Sequence, residues 1–224
     1  MKQKLKGIIF DMDNTLLSSR IDFSAMKEET YQFLVSRNVL PVGMPLQLYT
    51  TATVIEEAIR TNRMTGKLIQ EVWEIPRKHE VLGMQQAGLE PGTRDILNEL
   101  KGKYLITIVT NNSVRAAEVA LRENHIMDYF DQMIGREMMN SLKPSPDGYL
   151  RILNEYKYPA DEWISVGDSW TDGKASLSAG LRFIAYRADQ EKMKQMNVNP
   201  SAEIMNLMEL MDIIAGIEEG SLFG

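Results

Sequence analysis

The sequence of 224 residues contains no cysteine and only two histidines. Without cysteine the protein has no disulfide, no thiolate metal site and no cysteine nucleophile, so any chemistry must use other side chains. His79 and His125 have no partners at the spacing of metal ligands, and we interpret both as structural or surface residues. The lack of disulfides is typical of a reducing compartment such as the cytosol.

Long hydrophobic runs and excess positive charge are also lacking. No segment approaches the roughly 20 apolar residues that span a bilayer, and the N-terminal hydrophobic stretch in MKQKLKGIIF is shorter than a signal-peptide core. A net charge of −6 argues against a nucleic-acid partner or an anionic membrane surface, although a local site can still bind a small anion. We therefore expect a cytoplasmic protein, monomeric or homodimeric, without nucleic-acid or membrane partners.

Short apolar runs alternate with segments of helical spacing over most of the chain. This alternation predicts an α/β fold with a Rossmann-like, doubly wound parallel sheet covered by helices on both faces. Such sheets bind ligands outside the carboxyl ends of their strands. The predicted strands are Gly7–Phe10, Tyr104–Thr110, Gln132–Gly135, Trp163–Val166 and Leu181–Tyr186, and the predicted helices are Thr93–Leu100, Ser113–Glu123, Asp147–Tyr156 and Asp172–Ala179.

One segment interrupts the alternation, since residues 20–86 contain helix-like stretches and no convincing strand. The sequence therefore predicts an inserted α-helical domain over residues 19–87 and an α/β core domain of residues 1–18 and 88–224. The helical stretches of the insertion are Phe23–Arg37, Leu46–Arg60 and Lys67–Leu82. We also predict an amphipathic helix over the Met-rich segment Ala202–Ile217.

Two aspartates, Asp11 and Asp13, follow the first predicted strand in FDMDNT. If the backbone is still extended there, two residues span one pleat period and both carboxylates point the same way. Like charges placed this close repel, and a hard cation such as Mg²⁺, which prefers oxygen ligands, would stabilise them. The alternative is a strand that runs into a polar turn, with Asp13 and Asn14 as turn residues.

Thr110 and Asn111 end the strongest apolar strand, in LITIVTNNS. A hydroxyl and an amide just before a helix suit a phosphate-binding corner, because helix N-terminal amides favour anions. The alternative, compatible with this interpretation, is that Asn112 or Ser113 simply caps the next helix.

Three further charged residues lie at predicted strand ends or in the loops that follow them. Lys143, in SLKPSPDGY, is flanked by prolines that restrict its backbone, and its ammonium would neutralise a carboxylate and a phosphate that share a pocket. The alternative for an isolated loop lysine is a solvated surface charge. Asp168 and Asp172, in VGDSWTD, follow the fourth strand, and Asp172 is also well placed to cap the next helix.

In this order the four motifs resemble those of the haloacid dehalogenase superfamily, most closely its phosphoglycolate-phosphatase-like branch with a helical cap. The first family motif, D-x-D-x-T, corresponds to DMDNT, and the second, a hydroxyl residue at the end of a strand, corresponds to Thr110. The third, a Lys-Pro motif, corresponds to Lys143, and the fourth, G-D-S-x-x-D, corresponds to GDSWTD. The resemblance extends from about Gly7 to Tyr186, and the insertion lies where this family carries its cap. The cap charges Arg20, Arg60, Arg63 and Lys67 are candidates to meet an anionic leaving group, with surface exposure as the alternative.

The resemblance implies a Mg²⁺-dependent phosphatase that acts on a small phosphorylated metabolite. Asp11 would be the nucleophile, and Asp13 would protonate the leaving alcohol and then activate water. The resemblance also implies that Mg²⁺ is bound by the Asp11 carboxylate, the Asp13 carbonyl and Asp168. It implies that the phosphate is bound by Thr110, Asn111 and Lys143, and that Asp172 is a supporting residue.

Two departures from the family pattern affect these expectations. Asn14 occupies a position where many relatives have Gly, but Asn tolerates a positive φ. The segment LLSSRIDF replaces a more usual acidic run, so phosphoglycolate itself is less secure as the substrate, and nucleotide or pyrophosphate specificity stays open. A sugar phosphomutase of the same fold and a binding module without turnover are the alternative functions.

Overall fold

The computed structural model describes residues 4–85 and 87–222. Within these ranges six parallel strands form one sheet, so the predicted α/β class is confirmed. The strands are β1 (Gly7–Phe10), β2 (Leu17–Ser18), β3 (Gly88–Leu89), β4 (Leu105–Val109), β5 (Gln132–Ile134), β6 (Trp163–Gly167), β7 (Arg182–Tyr186) and β8 (Ala202–Ile204). The α-helices are α1 (Phe23–Ser36), α2 (Thr51–Arg60), α3 (Gly66–Met84), α4 (Thr93–Leu100), α5 (Val114–Glu123), α6 (Asp147–Tyr156), α7 (Trp170–Ser178), α8 (Gln190–Gln195) and α9 (Leu210–Glu219).

Strand β1 lies inside the sheet, whose order is β5-β4-β1-β6-β7-β8. Its residues are buried on both faces, which explains why the sequence reads as an unbroken apolar run. Phe10 pairs with Ile108 of β4 on one side and with Val166 of β6 on the other. The carboxyl ends of these three strands therefore lie side by side, and the polar residues that follow them are brought together.

The described residues divide into two compact units, one of residues up to 19 and from 87 onward, the other of residues 20–85. Helices α1 to α3 make up the second unit, around buried side chains that include Leu34, Val54 and Val72. The predicted helix Leu46–Arg60 is in fact a 3₁₀ turn, Leu46–Leu48, followed by α2. The Thr50 side chain accepts a hydrogen bond from the Thr53 N–H, and this N-cap begins α2 as a separate helix. Residues 1–3, 86, 223 and 224 of the predicted domains lie outside the described residues.

The prediction of one helix over Ala202–Ile217 is wrong in its first half. Residues Ala202–Ile204 form β8, an edge strand that pairs with β7, and the helix α9 begins only at Leu210. Asn206 and Glu209 form a capping box that begins a new helical turn after the strand. A three-residue edge strand is too short to leave a clear alternating pattern, so helical spacing dominated the sequence.

Within residues 4–85 and 87–222, none of the helices has both the length and the apolar character that a bilayer crossing requires.

Gly7 in β1 makes room for the indole of Trp163, its neighbour in β6. A Cβ atom at position 7 would overlap the Trp163 ring, which is fully buried in the core. Well-packed interiors cannot absorb such an overlap without moving the ring or the strand.

We therefore expect Gly7→Ala to lower the free energy of unfolding by roughly 1–3 kcal/mol. Urea denaturation followed by circular dichroism measures the change. Gly66→Ala at the start of α3 is the matched control, because a Cβ there meets no atom within 4 Å. Equal stability of the two variants would contradict the packing argument.

Candidate active site

Lys143 connects two carboxylates at the carboxyl end of the sheet. Its Nζ lies 2.5 Å from Asp11 Oδ1 and 2.6 Å from Asp172 Oδ1, and it also donates to the Val109 carbonyl at 2.8 Å. The lysine is only 2% exposed, so the alternative of a solvated surface charge is wrong. The buried ammonium therefore donates hydrogen bonds to Asp11 and to the Val109 carbonyl and forms an ion pair with Asp172.

Asp11, Asp168 and Asp172 form a cluster of acidic groups around this lysine. Each offers one carboxylate oxygen, and the three oxygens lie within 4.8 Å of one another. Asp11 and Asp172 are buried and Asp168 is half-buried. Three carboxylates outnumber the one ammonium that contacts two of them, so the cluster suits an additional hard cation with oxygen ligands.

Burial and electrostatic repulsion raise the pKa values of two of these carboxyl groups, those of Asp11 and Asp168. Burial, reinforced by Asp11 and Asp172, raises the pKa of Asp168 to about 9. Burial, reinforced by Asp172, raises the pKa of Asp11 to about 6, although Lys143 opposes the change. Burial alone would lower the pKa of Lys143, but Asp11 and Asp172 outweigh it and raise that pKa well above its ordinary value. Lys143 is therefore charged at neutral pH, whereas Asp168 without a cation retains its proton.

The two aspartates of DMDNT have different partners. Asp11 accepts from Thr15 Oγ1 at 3.2 Å in addition to its bond with Lys143, whereas Asp13 Oδ2 accepts from Asn112 Nδ2 at 2.8 Å. Asn14 has a φ of 56°, so the chain turns directly after Asp13, as expected if this position requires a positive φ. The polar turn expected at Asp13 and Asn14 is therefore present, and the two carboxylates are held by different groups.

The strand end after β4 also differs in detail from the sequence-based expectation. Ser113, rather than Asn112, caps α5 by accepting the Ala116 N–H. The Asn111 side chain donates to the Lys143 carbonyl at 3.0 Å and accepts from the Lys143 N–H at 2.9 Å. This amide therefore fixes the backbone that carries Lys143, and its side chain is already engaged there. Thr110 Oγ1 accepts the Asn112 N–H at 3.2 Å and keeps its own hydrogen to donate.

Asp172 serves both as a helix cap and as a partner of Lys143. Its Oδ2 accepts the Ser169 N–H at 3.1 Å and the Ser169 hydroxyl, in a capping box that begins α7. Its Oδ1 contacts Lys143. The capping role expected from the sequence and the ion pair with Lys143 are therefore combined in one side chain.

Sequence reasoning assigned no role to Thr15 and considered Asn112 only as a cap. Thr15 is the last residue of the DMDNT motif and is fully buried, and that position in the motif was a signal available in the sequence. Asn112 had no such signal, because its partner Asp13 is 99 positions away.

The fold and the site define an α/β protein with a buried lysine–carboxylate centre at the carboxyl end of its sheet. The family model of haloacid dehalogenase-like hydrolases matches residues 8–186, which is most of the chain. The chain therefore belongs to the haloacid dehalogenase-like hydrolases, and the predicted resemblance is confirmed.

The chain is similar to several characterised or solved proteins over nearly its full length. It is 24% identical to the phosphoglycolate phosphatase of Vibrio parahaemolyticus, over 96% of this chain and 98% of that protein. The structure of a predicted phosphoglycolate phosphatase from Haemophilus somnus matches with a TM-score of 0.65 and 19% identity, over 93% and 97% of the two chains. The YfnB protein of Bacillus subtilis, solved bound to magnesium, matches with a TM-score of 0.60 and 20% identity, over 94% and 99%. At these identities the solved structures show the shared fold alone.

The raised pKa values predict how the stability of the cation-free protein depends on pH. Asp11 and Asp168 keep their protons in the folded protein at pH values where the unfolded chain has already lost them. The folded state therefore becomes less stable as pH rises from about 4 to 9. The test compares the melting temperatures of the unsubstituted protein and of Asp168→Asn in EDTA at pH 5 and pH 9. The fall in melting temperature between these pH values should be at least about 5 °C larger for the unsubstituted protein than for Asp168→Asn. Differential scanning calorimetry of both proteins measures this difference, and parallel pH profiles would contradict the assignment.

Proposed function

We infer that this hydrolase is a Mg²⁺-dependent phosphatase that removes the phosphoryl group from a small phosphorylated metabolite. The observation that carries this proposal is the Asp11 carboxylate, held by Lys143 and Thr15 beside Asp168 and Asp172 at the end of β1. A fixed carboxylate beside a buried ammonium provides both a nucleophile and a positive charge for an incoming phosphoryl group.

The residues present fit a magnesium ion. Asp11 and Asp168 offer clustered carboxylate oxygens, and the negative charge in excess of Lys143 favours a divalent cation. We assign the Asp11 carboxylate, the backbone carbonyl of Asp13 and Asp168 as its protein ligands, with Asp172 as a supporting residue. When bound, the ion would neutralise charge on the phosphoryl oxygens.

In the first step Asp11 acts as the nucleophile. One of its carboxylate oxygens forms a bond to phosphorus, and the bond from phosphorus to the alcohol oxygen breaks. The leaving oxygen keeps the electron pair of that bond and takes a proton from Asp13. Lys143, which already contacts Asp11 Oδ1, lies beside the charge that develops on the phosphoryl group.

In the second step Asp13 acts as a base. It takes a proton from a water molecule as the water oxygen bonds to phosphorus, and the bond between phosphorus and Asp11 breaks. Inorganic phosphate leaves, and Asp11 returns to its carboxylate form while Asp13 regains its proton. Thr110 donates its hydroxyl hydrogen to a phosphoryl oxygen, and Asn111 contributes by holding the Lys143 backbone in place.

The substrate class is a small phosphomonoester. The support comes from the relative named phosphoglycolate phosphatase, which matches 96% of this chain. The second unit, residues 20–85, is proposed as the cap whose residues select the leaving group. We propose that the protein is located in the cytoplasm.

Asp11→Asn tests the proposed nucleophile, because an amide oxygen attacks phosphorus far more weakly than a carboxylate. We expect release of phosphate from 4-nitrophenyl phosphate with Mg²⁺ to fall at least about 1,000-fold, while the circular dichroism spectrum stays unchanged. EDTA should abolish activity of the unsubstituted protein, and Mg²⁺ should restore it.

Asp189→Asn is the matched control, since it makes the same substitution at a helix cap outside the site. It should keep full activity. Substantial turnover by Asp11→Asn would refute the nucleophile, and turnover unaffected by EDTA would refute the metal requirement. Assays with sugar phosphates, in which released phosphate and isomerised product are both measured, separate the phosphatase from a phosphomutase.

A further inference from the structure

Asn112 contacts one of the two aspartates and lies next to the phosphate-binding corner. Its Nδ2 donates to Asp13 Oδ2 at 2.8 Å, and the residue is only 4% exposed. It is not the cap of α5, since Ser113 has that role. Most side-chain hydrogen bonds go to backbone groups or water. A buried amide that donates to a half-buried carboxylate is therefore unusual for a residue with only a packing role.

The backbone of Asn112 is fixed from both sides. Its N–H donates to Thr110 Oγ1 at 3.2 Å, and its carbonyl accepts the Arg136 N–H at 2.8 Å. Gly135 allows this close approach, since a Cβ at that position would lie 3.2 Å from the Asn112 carbonyl oxygen. The amide that contacts Asp13 therefore projects from an anchored position rather than from a flexible loop.

We propose that Asn112 is a positioning residue that holds the Asp13 carboxyl group in the orientation for proton transfer, an inference that rests on the proposed function. The amide N–H fixes Asp13 Oδ2 as a hydrogen-bond acceptor, so the transferable proton is carried on Oδ1. Loss of this bond removes one constraint on the orientation of the carboxyl group, and a misplaced acid catalyses proton transfer less well.

The proposal has a consequence that depends on the leaving group. In the first step the bond from phosphorus to the leaving oxygen breaks, and the electron pair on that oxygen takes the proton from Asp13 Oδ1. A basic leaving group such as phenolate requires that proton, whereas 4-nitrophenolate departs as a stable anion without it. Loss of Asn112 should therefore slow phenyl phosphate more than 4-nitrophenyl phosphate, although the two substrates have nearly the same shape.

The experiment compares kcat/KM for these two substrates, because kcat/KM reports the steps up to release of the phenol. We expect Asn112→Ala to reduce kcat/KM at least about tenfold for phenyl phosphate and less than about threefold for 4-nitrophenyl phosphate. Asp13→Asn should show the same selectivity. If Asn112→Ala does not fold, the isosteric Asn112→Asp removes the donor while it keeps the volume.

Asn206→Ala is the matched control, since it deletes the same side chain and also breaks a hydrogen bond, to the Met208 N–H. It should change both substrates equally or not at all. Equal losses on both substrates in Asn112→Ala, or no loss on either, would overturn the positioning role while the proposed function stands. An unsubstituted protein that hydrolyses neither substrate, or an Asp13→Asn variant without selectivity, would overturn the proposed function or its acid, and this inference with it.

Discussion

The ion pairs of Lys143 with Asp11 and Asp172 are the interaction on which the site depends. All three side chains are buried, and an unpaired charge in such a place would cost several kcal/mol. Removal of Lys143 leaves two buried carboxylates without this compensation. The pairs therefore constrain three separate segments to stay together: the end of β1, the loop before α6 and the first turn of α7. The two bonds from Asn111 to the Lys143 backbone add to this constraint without using charge.

The same interaction also leaves the site with unbalanced charge. Lys143 contacts Asp11 and Asp172, while Asp168 lies within the same cluster and has the most strongly raised carboxyl pKa there, about 9. At neutral pH a further positive charge would favour the carboxylate form of this group. In the proposed function, this imbalance favours a divalent cation at the cluster, and binding of that cation would release a proton.

Much of the site could be predicted because parallel strands bring their carboxyl ends to one edge of a sheet. Asp11, Thr110 and Asp168 each lie one residue beyond a strand, and strands β1, β4 and β6 are neighbours. That rule locates residues along the edge but does not determine which side chains touch. The bond between Asn112 and Asp13 depends on register and side-chain rotamers, and neither is encoded in local spacing. The strand β8 was missed for a different reason, since three residues carry too little periodicity to compete with the adjoining helical pattern.

Two aspartates separated by one residue can perform different tasks because their surroundings differ. Asp11 is buried against an ammonium that opposes the rise in its pKa caused by burial, and protonation of Asp11 would break an ion pair. Asp13 is half-buried, and its Oδ2 accepts a hydrogen bond from the neutral Asn112 amide, so in the proposed mechanism Oδ2 stays an acceptor and Oδ1 carries the proton. In the proposed mechanism the nucleophile is therefore held against a positive charge, and the proton carrier is oriented by a hydrogen bond. Environments that separate the protonation states of neighbouring carboxyl groups are a recurring way to assign them distinct roles in one reaction.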